Sequence, residues 1–202
     1  MKNLIKLIVI IVVTSIVSSC SSTKSLAKEG ILLIEGSDLY YEVQAGDEKW
    51  NFDLNINHFG NSISFDYDLG DASGTISIDE KALKESTNLY NYFGNGYKRL
   101  TEKTTVWVSK KMFKDLKSGK PVAIGLGNSD SEKELFTLTG KETYSFGNKE
   151  DGVPYNIPVL IVATKDAKKE IWIADDSNNR LIVMMKLDFR IDLVNYKEYD
   201  GY

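Results

Sequence analysis

Residue types that carry chemistry are scarce in this chain of 202 residues, which has one cysteine, one histidine and three prolines. A single thiol cannot form a disulfide within the chain, and thiolate zinc sites need several cysteines. The only histidine, His58, leaves too few nitrogen ligands for a histidine zinc site and offers one candidate base for catalysis. We therefore expect no metal site and no cofactor, and a domain held together by its apolar core.

The one cysteine, Cys20, ends an N-terminal segment that has the pattern of a secretion signal. Lys2 and Lys6 give this segment a positive start, and residues 7–17 are an apolar run too short for a comfortable membrane span. Small residues then lead into Cys20. A secretion signal that ends at a functional cysteine is the main interpretation. An ordinary secretion signal with an unrelated cysteine and a short membrane anchor are the alternatives.

The tetrad VSSC at residues 17–20 resembles the lipobox of bacterial lipoproteins. This resemblance implies a signal peptide at residues 1–19, cleavage before Cys20 and acyl chains attached to that cysteine. Two or three chains would anchor the protein durably in a membrane. The residue after the cysteine is Ser21 and not aspartate, which by the same resemblance implies the periplasmic face of the outer membrane.

Length and charge limit the function classes open to the chain after Cys20. Cleavage would leave 183 residues, which suits a short tether at residues 20–29 and a single domain at residues 30–202. Removal of two lysines and no acid takes the net charge from −4 to −6. A protein this acidic is not expected to bind nucleic acid through a basic patch.

From Gly30 onward the apolar residues alternate with polar ones, as in half-buried strands. The clearest case is residues 49–58, which place Trp50, Phe52, Leu54, Ile56 and His58 on one predicted face. Alternation of this kind is typical of an antiparallel sheet with one solvated face. The same pattern predicts short strands at residues 31–34 and 104–108, and two separate strands at residues 134–139 and 144–146.

Two short helices interrupt the strands. Asp79 is a candidate N-cap for a helix that reaches about Tyr92, and Ser109 is one for a helix at residues 110–117. About ten strands with two helices predict an all-β domain with minor α. A single strongly curved antiparallel sheet, either a barrel or a half-barrel, is the expected architecture because so many strands do not stay flat.

The last predicted strands, residues 159–194, carry a second resemblance. Trp172 lies before an Asp175-Asp176 turn, which an Arg180-Leu181 strand follows. This order is similar to the end of bacterial periplasmic domains that look like the half-barrels of the lipoprotein carriers LolA and LolB. The resemblance implies a sheet that wraps an apolar cavity around helices.

No catalytic constellation stands out among the acids. Two groups could bind a cation, but their spacing fits turns and solvated strand faces better. These groups are Asp66, Asp68 and Asp71, and Asp175, Asp176 and Asn178. A pair of carboxylates in a cleft would instead indicate a hydrolase of envelope glycan or lipid, and the sequence favours no particular pair.

Aromatic residues are the main candidates for a binding site. Large side chains of this kind either fill a core or line a cavity, and the pattern alone leaves both interpretations open. The candidate ligand-binding residues are Trp50, Phe52, Phe65, Tyr67 and Trp107. We expect a non-catalytic envelope lipoprotein that binds a lipid-like ligand or acts as an interaction module with a protein partner, with the hydrolase as the alternative.

Overall fold

The computed structural model describes residues 27–127, 132–147 and 152–199. The predicted signal peptide, the predicted lipidation site Cys20 and most of the predicted tether lie outside the described residues. The last two tether residues, Lys28 and Glu29, lie inside them and form a short strand.

Strands dominate the described residues. The strands are β1 (Lys28–Glu29), β2 (Asp38–Ala45), β3 (Glu48–Phe59), β4 (Ile63–Asp68), β5 (Ser73–Ile78), β6 (Gly96–Leu100), β7 (Val122–Gly125), β8 (Lys133–Gly147), β9 (Pro154–Ala163), β10 (Glu170–Ala174), β11 (Ile182–Lys186) and β12 (Arg190–Lys197). The helices are α1 (Glu80–Glu85) and α2 (Lys110–Lys117). This content confirms the all-β prediction with minor α.

The strands form one large curved sheet that does not close into a barrel. Its order is β6-β5-β4-β3-β2-β12-β11-β10-β9-β8-β7, and β1 pairs with β9 beside this path. Most neighbours are antiparallel, whereas β5 with β6 and β1 with β9 are parallel. The prediction of a single strongly curved, mainly antiparallel sheet is confirmed in its open form.

Alternation along β3 and β4 places the core on one face of the sheet. Phe52, Leu54 and Ile56 of β3 are buried, as are Phe65 and Tyr67 of β4. The two strands pair so that these side chains share a face. The polar residues between them face solvent, and the inward residues join one continuous apolar core.

His58 is the exception to this alternation. A β-bulge between Ile56 and His58 adds one residue to β3 and shifts the phase of the side chains. His58 is therefore exposed, and Phe59 packs inward with its ring centroid 6.1 Å from that of Trp107. The prediction that His58 ends the inward face is wrong because a bulge leaves no mark on the alternation itself.

Other details of the strand prediction also need correction. Residues 31–34 form no regular strand in the described chain. The strand β8 is continuous where two strands were expected, because the irregularity between Leu138 and Gly140 bends it without ending it. The edge strand β6 was not predicted, since four of its five residues are exposed and show no alternation.

The helix α2 begins and ends as predicted. The side chain of Ser109 accepts a hydrogen bond from the Met112 backbone amide at 3.0 Å, which caps the first turn. Met112, Phe113 and Leu116 are buried in the core, as their helical spacing indicates. Within the described residues, neither helix is long and apolar enough to cross a membrane.

The helix α1 is shorter than predicted. Asp79 caps it by accepting from the Ala82 amide at 2.8 Å, but the helix ends at Glu85 and not near Tyr92. The Ser86 hydroxyl bonds the backbone of Asn88 and of Glu102, which competes with a further helical turn. Residues 86–93 therefore run as an irregular segment.

Residues 104–108 form isolated bridges where a regular strand was predicted. The Ile182 amide donates to Val106 O at 2.7 Å, and the Val108 amide donates to Arg180 O at 3.1 Å. The rings of Trp107 and Phe65 are 5.6 Å apart, so this segment lies against the inward face of the sheet. It pairs with other segments at single residues only and makes no continuous ladder.

Candidate functional site

A pocket of about 390 Å³ lies on the inward side of the sheet and is partly open to solvent. This volume is within the range of pockets that hold small ligands. Strands β2, β3, β11 and β12 contribute to it together with the irregular segments 86–93 and 104–108. The lining residues are Tyr41, Val43, Ala45, Trp50, Phe52, Leu69, Leu89, Asn91, Tyr92, Phe93, Thr105, Val106, Ile182, Met185, Phe189 and Ile191.

The sheet side of the pocket follows from strand pairing. Val43 of β2 is paired with Trp50 of β3 on one side and with Ile191 of β12 on the other. Tyr41 and Phe52 are the paired residues two positions away on the same two strands, and side chains two residues apart share a face. Adjacent strands therefore present a continuous apolar and aromatic surface to the pocket.

The opposite side depends on Phe93, at the end of the irregular segment 86–93. The ring of Phe93 lies 4.6 Å from that of Phe52 and 5.2 Å from that of Tyr67. The Tyr67 hydroxyl donates a hydrogen bond to Gly94 O, which holds the chain after Phe93 against β4. Tyr92 stays 49% exposed beside this cluster, so a large aromatic ring faces solvent at the pocket.

None of the described residues that line the pocket carries a charge. The Tyr41 hydroxyl is already used, because it donates to Ile182 O at 2.9 Å. Burial raises the pKa of Tyr41 well above its usual value, with a further contribution from nearby Tyr144, so Tyr41 stays neutral. Apart from the tyrosine hydroxyls and the Trp50 indole N–H, the polar side chains in the described lining are those of Asn91 and Thr105.

The structure separates the five predicted ligand-binding residues into two groups. Trp50 and Phe52 line the pocket. Phe65 and Trp107 pack against each other in the core, and the described pocket lining does not include them. Tyr67 also lies behind the lining, where its ring contacts Phe52 and Phe93.

Several lining residues have no signal in the sequence that could have found them. Asn91 and Thr105 belong to the irregular segments, whose course depends on hydrogen bonds to distant parts of the chain, whereas Tyr92 in the same region has only its aromatic character as a signal. One such bond joins the Leu89 amide to Gly125 O at 2.7 Å. Met185 and Ile191, by contrast, lie in strands whose apolar pattern predicts burial but indicates no site.

Three of the acids that are candidate cation ligands, Asp66, Asp68 and Asp175, have other partners. Thr75 donates to Asp66 at 2.6 Å, the Gly70 amide donates to Asp68 at 2.6 Å, and Lys117 pairs with Asp175. Across the described ranges, no group of three or more histidine, cysteine, aspartate or glutamate side chains is placed to hold a metal ion.

Comparison of the chain with protein-family models, with curated proteins and with solved structures gives no match.

Proposed function

We propose that this protein binds an apolar, lipid-like ligand in the pocket between the inward face of the sheet and the segments 86–93 and 104–108. The observation that carries this proposal is the 390 Å³ volume combined with a described lining that has no charged side chain. Ligand pockets are mainly apolar and aromatic, with a small number of polar groups that orient the ligand.

The energetic reason for binding is the apolar surface that a ligand would cover. Trp50 and Phe93 are only half-buried, and Tyr92 is exposed, although all three line the pocket. Each square ångström of apolar surface removed from water contributes about 25 cal/mol. An apolar ligand would cover parts of these rings and so gain affinity without any ion pair.

The proposed cellular setting rests on the N-terminal sequence. Acyl chains on Cys20 would tether the protein to the cell envelope, at the periplasmic face of the outer membrane, and an apolar pocket would then lie close to a source of lipid. The membrane is thus the first proposed partner, through those chains, and the ligand is the second.

The hydrolase alternative receives no support from the acids near the described surface grooves. One groove along α1 is lined by Asp79, Glu80 and Glu85 together with two lysines. Asp79 is engaged as the helix cap, and no carboxylate among the described residues lines the apolar pocket. We therefore do not propose catalysis.

Photolabelling of the full chain with an alkyl probe that carries a diazirine tests the proposal. Labelled peptides should map to β2, β3 and the segment 86–93. Ala45→Trp should fill part of the pocket and lower the labelling at least fivefold. Ala72→Trp is the matched control, because Ala72 is also half-buried but lies in the turn after β4, outside the described lining.

Two results would contradict ligand binding. One is labelling spread evenly over the surface, and the other is an equal loss of labelling in the two variants. Either result would favour the envelope interaction module, and the next step would then be a search for a protein partner.

A further inference from the structure

Thr105 is a buried polar residue in a mainly apolar pocket wall. It is 2% exposed, lines the pocket and makes no side-chain hydrogen bond within the described part of the chain. A threonine hydroxyl can donate one hydrogen bond and accept others, and buried hydroxyls nearly always have a partner. Thr105 is therefore a hydrogen-bonding group that is available to a molecule in the pocket.

Asn91 offers a second polar group from the neighbouring segment. Its Nδ2 donates to Leu126 O at 3.0 Å, which identifies the nitrogen side of the amide. The opposite atom, Oδ1, has no hydrogen-bond partner among the described residues. The backbone amide of Tyr90, the residue before Asn91, donates a hydrogen bond to the carbonyl of Thr104, the residue before Thr105, at 2.7 Å. This bond joins the two segments next to Asn91 and Thr105.

The described pocket lining, which includes Asn91 and Thr105, has no charged side chain. An ionised carboxylate or phosphate that enters an apolar pocket loses its hydration, and the loss is large unless a cation compensates for it. No cationic side chain lines the pocket in the described ranges. Lys98 lies over the ring of Tyr90 at 5.7 Å, and neither residue belongs to the described lining.

We propose that the pocket selects an uncharged amphiphile, an apolar molecule that carries a hydroxyl group. The hydroxyl accepts a hydrogen bond from Thr105 Oγ1 and donates one to Asn91 Oδ1, while the apolar part lies against the sheet. This inference rests on the proposed function and adds to it the chemical class of the ligand.

Three probes of similar size test the selectivity by competition with the alkyl diazirine label. They are 1-octanol, its isomer 1-methoxyheptane, which has no hydroxyl donor, and octanoate. The full chain is reconstituted in lipid nanodiscs, and empty nanodiscs correct for partition of each probe. We expect 1-octanol to compete about threefold to tenfold better than the ether, as one net hydrogen bond predicts. Octanoate should compete at least tenfold less well than 1-octanol.

Substitutions at Asn91 and at two adjacent threonines then assign the effect to the pocket. Asn91→Leu should remove the preference for 1-octanol over 1-methoxyheptane, because only the alcohol can donate to Asn91 Oδ1. Thr105→Val should weaken competition by both probes, because both oxygens accept from Thr105 Oγ1, and Thr105→Ser should retain that competition. Thr104→Val is the matched control: the Thr104 hydroxyl is also buried without a partner among the described residues, but Thr104 is outside the described lining. It should leave the preference unchanged.

The outcomes separate this inference from the proposed function. If all three probes compete equally, or octanoate competes best, the pocket binds apolar molecules but does not select a hydroxyl, and the inference is overturned. The same holds if Asn91→Leu keeps the preference, or if Thr105→Val leaves competition by both probes unchanged, because the two side chains would then not be the partners of the hydroxyl. If no probe competes and the label does not map to the pocket, the proposed function itself fails.

Discussion

The indole of Trp107 donates a hydrogen bond from Nε1 to Asn179 Oδ1 at 3.2 Å, in the buried interior between two parts of the chain that lie 72 residues apart. Asn179 is 6% exposed although it belongs to a polar loop between β10 and β11. The bond fixes the segment 104–108 to that loop. Because Thr105 and Val106 of this segment line the pocket, the position of the pocket wall depends on this contact.

Asn179→Ala should lower the free energy of unfolding by about 1–3 kcal/mol, because the indole N–H of Trp107 is left without its partner in the buried interior. Asn178→Ala is the matched control, since Asn178 is the exposed neighbour in the same loop, and it should change stability by less than about 0.5 kcal/mol. Urea unfolding of both variants measures the difference. Equal stability of the two variants would show that the Trp107 bond contributes nothing.

Gly74→Ala should detach β6 from the sheet. A Cβ at Gly74 would overlap Gly96 O, the backbone oxygen of the parallel partner, and backbone cannot move aside as a side chain does. We expect a loss of about 1–3 kcal/mol in the free energy of unfolding and faster amide exchange in β6 than in β4. Gly94→Ala is the control, because a Cβ there meets no atom within 4 Å and should change neither measurement.

We expect deprotonation of Tyr196 to lower the free energy of unfolding at alkaline pH. Burial raises the pKa of Tyr196 to about 12, and its hydroxyl donates to Leu32 O. The unfolded chain has a tyrosine pKa of about 10, so the folded state holds its proton where the unfolded state has released it. Stability is therefore fully present below pH 10 and is lost as the pH rises toward 12, by on the order of 2 kcal/mol.

Tyr196→Phe should flatten part of this fall, measured as the free energy of unfolding from pH 9 to 12, although it is less stable throughout because it lacks the bond to Leu32. Tyr199→Phe is the comparison, since Tyr199 is 53% exposed and should leave the pH profile as it is. The same slope in both variants would mean that other groups cause the alkaline loss.

Local sequence patterns were sufficient to predict the elements that depend only on neighbouring residues. Alternation placed the inward residues of β3 and β4, and the capping residues Asp79 and Ser109 placed the first turns of both helices. The bulge before His58 and the early end of α1 at Ser86 were not predictable in this way. The bulge depends on how β3 pairs with β4, and the end of α1 depends on Glu102, whose carbonyl accepts from the Ser86 hydroxyl.

The pocket also combines features that local patterns predict with features that distant contacts determine. Trp50 and Phe52 were candidates because they are aromatic and lie on the inward face, and both line it. Phe65 and Trp107 have the same local pattern but pack against each other. Only the course of the segments 86–93 and 104–108 decides which inward aromatic residues meet open space, and that course is set by long-range hydrogen bonds.

Substitution of Trp50 and Phe65 should separate the pocket from the core. Trp50 is half-buried at the pocket, so Trp50→Ala should weaken alkyl-probe binding about tenfold, since burial of a large apolar side chain contributes about 1.5–3 kcal/mol. Phe65 is fully buried behind the lining, so Phe65→Leu should cost about 1–2 kcal/mol of unfolding free energy and leave the affinity unchanged. Competition labelling and urea unfolding of both variants give the two quantities. If Phe65→Leu weakened binding as much as Trp50→Ala at equal folded fraction, the core and the site would be one unit, and the distinction between pocket wall and core would be wrong.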